Sequence, residues 1–190
     1  VICEKPLVIN PDLLSGLFEY EKKFKKNIYC LLQLRLRKNI EKMKKILNKT
    51  KLKEININYI TPRGNWYDYS WKTDETKSGG ILLNIGIHLF DFLTEVLGEF
   101  KDFKISKYEK REAQGTIFFD QLKVNFNLSL NSKKFVTIRE ITLGSEIINI
   151  DQNFSNNHGE CYKQILNNNE NFLARNCSQS IFLVNEMRKK

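Results

Sequence analysis

Histidine is nearly missing from this chain of 190 residues. There are two, together with four cysteines, three prolines and two tryptophans. The cysteines (Cys3, Cys30, Cys161, Cys177) stand far apart, with no CxxC pair and no neighbouring histidine at zinc spacing. That excludes a zinc module by spacing, and free, reduced thiols imply a cytoplasmic protein. No apolar run reaches the ~20 residues of a bilayer span, so no membrane partner is expected. The opening "VICE" has neither the basic region nor the long apolar region of a secretory signal. Gly-x-Ser-x-Gly, His-Glu-x-x-His and Walker motifs are all missing.

Hydrophobic residues make up 41% of the chain and aromatics 12%, the composition of a globular protein. The formal net charge is +9. Such a charge suits a nucleic-acid surface or a lysine-rich, solvated exterior. The densest lysines, Lys22–Lys26 and Lys38–Lys49, fall on helices whose other faces are apolar. No recognition motif accompanies them, so nucleic acid is not expected as a partner.

Apolar periodicity and turn residues predict a short strand over 1–4, a helix from Asn10-Pro11-Asp12 to about residue 26, and a strand over 27–36. A helix over 38–49 and a strand over 54–60 follow. An aperiodic stretch, "TPRGNWYDYSWKTDETKSGG", leads into a helix over 80–97. A loop of that length inside a compact domain is more often functional than filler. Five strand-like segments then occur in succession, with clear alternation in Leu122, Val124, Phe126, Leu128 and Leu130. They predict an antiparallel meander, closed by helices near 159–166 and 173–187. The fold class expected is α+β: an open-faced, mostly antiparallel sheet with helices on one face. The apolar "VIC" reads like the last strand of something begun upstream. The chain is therefore expected to be the C-terminal part of a longer protein.

On the 80–97 helix, Asn84, His88, Asp91 and Glu95 form one polar row along an otherwise apolar cylinder. Unpaired burial of these groups would cost several kcal/mol in total, about 1–3 for each. They must meet partners, water or a ligand. His88 suits proton transfer near neutral pH, Asp91 is placed to orient it, and Asn84 to bond a substrate hydroxyl. Alternatively, Asn84 and His88 bond nearby backbone, Asp91 pairs with a lysine, and Trp66 and Trp71 are core plugs in a structural clamp.

Two stretches resemble one known family. "CEKPL" (Cys3–Leu7) is similar to the Glu-Lys-Pro motif of the glucose-fructose oxidoreductase/inositol dehydrogenase (Gfo/Idh/MocA) family. "SGGILLNIGIHLFDFL" is similar to its Gly-Gly…Gly-x-His-x-x-Asp helix. "RGNWYDYSWKTDETKSGG", "HGECYKQIL" and the final helix resemble a subgroup, the dehydrogenases of UDP-linked N-acetylamino-glucuronic acids used in surface-polysaccharide (lipopolysaccharide, O-antigen) synthesis. The resemblance implies residues 1–27 as a remnant of a Rossmann dinucleotide-binding domain, and 28–190 as a substrate-binding and oligomerisation domain. It implies Lys5 beside the nicotinamide and the reacting hydroxyl, with Glu4 and Pro6 supporting it. His88 would take the hydroxyl proton, with Asn84 and Asp91 beside it. Arg63, Tyr67, Trp71 and Lys72 would grip the nucleotide-sugar, and the open sheet face would pair homo-oligomers. Two departures stand out. Arg37-Lys38 stands where relatives often have His-Pro, and the nine glycines never form Gly-x-Gly-x-x-Gly. NAD or NADP is thus expected for a complete enzyme, and neither for this chain alone. A non-catalytic, sheet-mediated assembly module is the first alternative, and a basic nucleic-acid-binding protein the second.

Overall fold

The computed structural model describes residues 1–49, 52–120, 122–131, 136–150 and 154–189. The chain opens with β1 (Ile2–Glu4), α1 (Leu13–Phe24) and β2 (Tyr29–Leu31). β1 and β2 pair in parallel as a separate two-stranded sheet, with Cys3 opposite Cys30. The division expected at residue 27 runs between these two hydrogen-bonded strands. α1 starts where expected: the Asn10 side chain accepts the Asp12 amide at 3.0 Å, just ahead of the first turn. The strand expected over 27–36 is shorter. After Leu31 the chain tightens into a 3₁₀ turn, Gln33–Arg35, which leads into α2 (Arg37–Lys49).

The main sheet holds β3 (Glu54–Ile60), β4 (Asp102–Glu109), β5 (Glu112–Phe118), β6 (Lys123–Ser129), β7 (Ile138–Leu143) and β8 (Glu146–Asn149). Its order is β4-β5-β6-β3-β7-β8. All five neighbouring pairs are antiparallel except β3 with β6. The expected meander is therefore interrupted: β3, from far earlier in the chain, lies between β6 and β7. The α+β architecture with a mostly antiparallel sheet stands.

Period-two alternation gives the sheet two unlike faces. Ile55, Ile57 and Tyr59 of β3 and Val124, Phe126 and Leu128 of β6 are buried under helices. Their neighbours form an amide ladder on the opposite face. Asn125 donates to Asn56 at 2.9 Å and to Glu54 at 2.6 Å, and Asn127 donates to Asn58 at 3.3 Å.

The helix expected over 80–97 is broken. α3 (Glu75–Ser78) and α4 (Gly80–Asn84) lead to α5 (Ile87–Leu97), and the halves meet at 51°. Gly86 sits at the bend because nothing larger fits: a Cβ there would lie 2.6 Å from the Leu82 carbonyl oxygen and from the Phe90 ring. Gly79 and Gly80 open the segment at φ 75° and 67°, conformations that side chains resist. α5 packs on the sheet, where Phe90 meets Phe126 edge-to-face at 5.2 Å, and α7 (Ser178–Arg188) covers its other side. Burial on both sides explains its apolar circumference. Among the described residues no single helix is long and apolar enough to cross a membrane. α6 (Phe154–Leu166) buries Cys161 and Ile165 in a small second core with Tyr29 and Leu31.

Candidate functional site

The bend between α4 and α5 builds the site. Lys5 follows β1 directly, joined to Pro6 by a cis peptide. Its half-buried ammonium donates to the Asn84 carbonyl, where α4 ends. His88 lies one turn further, at the start of α5, with Nδ1 buried and without a partner. The Asn84 side-chain nitrogen is likewise buried and unpaired. Two unsatisfied polar groups on either side of the bend cost free energy and mark a place where a ligand can bond.

Electrostatics support this. Burial, then the nearby charges of Lys72 and Arg63, lower the Lys5 pKa to about 8, against the opposing pull of Glu4 and Cys30. Burial also pushes His88 well below the ordinary histidine range, helped by Lys5, Arg139 and His158. Its imidazole is therefore neutral at pH 7 and free to accept a proton.

The segment between β3 and α3 forms the rim. It is two 3₁₀ turns, Asn65–Tyr69 and Trp71–Thr73, and not an irregular loop. Tyr67 is buried. Its hydroxyl donates to the Lys72 carbonyl at 3.3 Å and lies beside the Asn84 amide. Lys72 Nζ sits 5.8 Å from the Trp66 ring centre. Arg63 is half-buried, and burial and Arg139 lower its pKa. Trp66 and Trp71 are 54% and 58% exposed, so neither is a core plug. Arg111, in the tight turn between β4 and β5, fixes the rim: it forks onto Asp68 with two contacts of 2.9 Å and donates to the Arg63 and Gly64 carbonyls.

Lys5, Asn84, His88, Arg63, Tyr67 and Lys72 thus come together. Glu4 is exposed beside them, 3.9 Å from His158 of α6. Asp91 does not orient His88. Both of its oxygens face away to Arg35, at 2.6 and 2.8 Å, and Ser180 adds a third bond at 3.0 Å. Arg35 also reaches Glu95 and the Asn171 and Asn176 carbonyls. The polar row therefore splits in two: its first half serves the site, and its second half ties helices together.

Sequence reasoning missed Arg139, His158, Tyr59 and Arg111. Arg139 had a readable signal, since it shares strand parity with the inward-facing Ile141 and Leu143. Among the described residues no three His, Cys, Asp or Glu side chains gather as a metal cluster.

Comparison with known proteins places the fold in a family. Residues 44–160 match the C-terminal alpha/beta domain of the Gfo/Idh/MocA oxidoreductase family. The WlbA (WbpB) dehydrogenase from Thermus thermophilus, solved in complex with NAD and alpha-ketoglutarate, is 30% identical with a TM-score of 0.89 over 98% of this chain and 63% of that one. The same enzyme in complex with NAD and UDP-GlcNAcA aligns over the same shares at 29% identity and TM-score 0.89. The WlbA dehydrogenase from Bordetella pertussis, solved with NADH and UDP-GlcNAcA, shares the fold at 14% identity and TM-score 0.78, over 100% of this chain and 68% of that one. The chain thus spans 63% of the length of the Thermus dehydrogenase.

Proposed function

This chain belongs to the Gfo/Idh/MocA oxidoreductase family, and on that premise we propose that it is the substrate-domain portion of an NAD(P)-dependent dehydrogenase. Its substrate is a nucleotide-linked amino-uronic sugar, oxidised at a ring hydroxyl: the 3-hydroxyl of UDP-GlcNAcA, in surface-polysaccharide synthesis. The observation that carries this reading is the meeting of the Lys5 ammonium and the unpaired His88 imidazole at one helix bend. Residues 1–27 are the proposed remnant of the dinucleotide domain. The amide-lined open sheet face is the proposed surface for a second copy, and the protein is proposed to act in the cytoplasm.

The chain's glycines build no phosphate cradle, so its own residues do not fit a dinucleotide. When bound to a dinucleotide domain, NAD supplies the hydride acceptor. This chain handles the substrate and its proton. Arg63 and Lys72 attract the diphosphate, and the exposed faces of Trp66 and Trp71 offer stacking surfaces. The substrate hydroxyl enters between Lys5 and His88. Its proton passes to the neutral imidazole, while the Lys5 ammonium steadies the charge developing on the oxygen. An anionic substrate also offsets the surrounding cations, so proton affinity at His88 rises when the substrate is bound.

The test is turnover, followed as NADH absorbance with the dinucleotide domain present. His88→Ala and Lys5→Ala should each lower kcat by about 10²–10⁴ fold while the fold persists. Near-normal turnover in both variants would contradict the assignment.

A further inference from the structure

Trp66 is 54% exposed, yet the fold holds its indole in one orientation. Gly64 lets the ring lie close: a Cβ there would stand 3.2 Å from it. The buried Tyr67 ring meets the indole edge to face, with centres 5.8 Å apart and planes at 74°. The Lys72 ammonium stands 5.8 Å from the indole centre. One residue pins the backbone on both sides. Arg111 donates to the Gly64 carbonyl at 3.1 Å, two positions before Trp66. It also forks onto the Asp68 carboxylate, two positions after, with both contacts at 2.9 Å. Lys110 donates to the Asp68 carbonyl at 3.2 Å. Tyr69 of the same turn gives the contrast: it is 91% exposed, with no ring or cation contact among the described residues. Single exposed aromatics are common on protein surfaces, so exposure alone means little. Immobilisation is the unusual part. Ordering a side chain costs entropy, and a ligand that meets it already ordered binds without that cost.

Lys72 indicates what covers the ring. An ammonium beside an indole is drawn to the ring, and it is drawn equally to a phosphate that comes near. In a nucleoside diphosphate, a flat base and the first phosphate are joined by a single ribose. A base stacked on Trp66 therefore leaves its diphosphate within reach of Lys72. We infer that Trp66 is the stacking platform for the nucleobase of the nucleotide-sugar, and that Lys72, seated at the same ring, takes the adjoining phosphate. This inference rests on the dehydrogenase reading and names the residue that holds the base. Every base has a flat face, so Trp66 supplies affinity for a nucleotide and not a preference for one base.

Calorimetric titration of the chain with UDP, UDP-GlcNAcA and inorganic pyrophosphate tests it. Trp66→Leu should weaken UDP and UDP-GlcNAcA by about ten-fold or more, and leave pyrophosphate within about two-fold. Trp66→Phe keeps a ring and should recover most of the loss. Tyr69→Ser, which removes the unheld aromatic of the same turn, should leave the affinity for UDP unchanged. If UDP binds the unaltered chain and Trp66→Leu equally well, the platform fails and the dehydrogenase reading stands. Equal losses for UDP and pyrophosphate would also overturn the platform, because the indole would then act only by placing Lys72. If none of the three ligands binds, the dehydrogenase reading fails and the platform with it.

Discussion

Lys5 and His88 each hold a proton less tightly than they would in the unfolded chain, and the two lead to opposite ends of the pH scale. The Lys5 pKa is lowered from 10.5 to about 8. Between those values the unfolded chain binds the extra proton, so stability rises with pH across that window. Below pH 8 the buried ammonium is a full cost. Lys5→Met should therefore raise the melting temperature at pH 7, and the gain should shrink to nothing by pH 11; differential scanning calorimetry at the two pH values checks this. His88 is pushed well below 6.5, so below that pH only the unfolded chain takes up this proton. Stability should fall as pH drops from 7 to 5, and His88→Gln should blunt that fall in acid melts. At this scale Lys5, Asn84 and His88 were legible in the sequence, since polar groups on an apolar helix beside a motif lysine invite a ligand. Asp91 was misread because its partner, Arg35, is 56 positions away and no local pattern reports that distance. Arg139 was overlooked for a related reason: parity places it inward, but only the fold places it beside His88.

Elements, in turn, explain why the site has its shape. A straight helix would use the Asn84 carbonyl for its own next turn; the bend at Gly86 presents it to Lys5 instead. Gly86→Ala forces a methyl to within 2.6 Å of the Leu82 carbonyl. Overpacking of this kind costs about 1–3 kcal/mol, which a urea midpoint would record. The second half of the polar row carries more. Arg35 is 1% exposed and joins the 3₁₀ turn before α2 to α5 and to the segment before α7. Removing it strands the Asp91 carboxylate, so Arg35→Met should cost about 3–5 kcal/mol by chemical denaturation. Arg35→Met with Asp91→Leu should recover part of that loss. Most elements were readable from periodicity, the β4–β8 strands most clearly. The helix bend was not, because Gly86 in a periodic run signals close approach without saying that the axis turns there. Nor was the position of β3: its pairing with both β6 and β7 spans residues far apart in sequence, where alternation fixes the buried face but not the neighbour.

The whole molecule is a sheet covered by helices on one face and lined with amides on the other. Lys5, Arg63, Lys72 and Arg139 gather where the first strand, the rim segment, the helix bend and β7 converge around His88. The chain has only two histidines, His88 and His158, so imidazole resonances report on the site with little overlap. The most direct measurement is a proton–nitrogen correlation spectrum of those side chains across pH, with and without UDP-GlcNAcA. With those cations around it, His88 should stay neutral well below pH 6.5 in the free chain, and saturating ligand should shift its signals and raise its pKa. Imidazole signals unmoved by the nucleotide-sugar at every pH would contradict it.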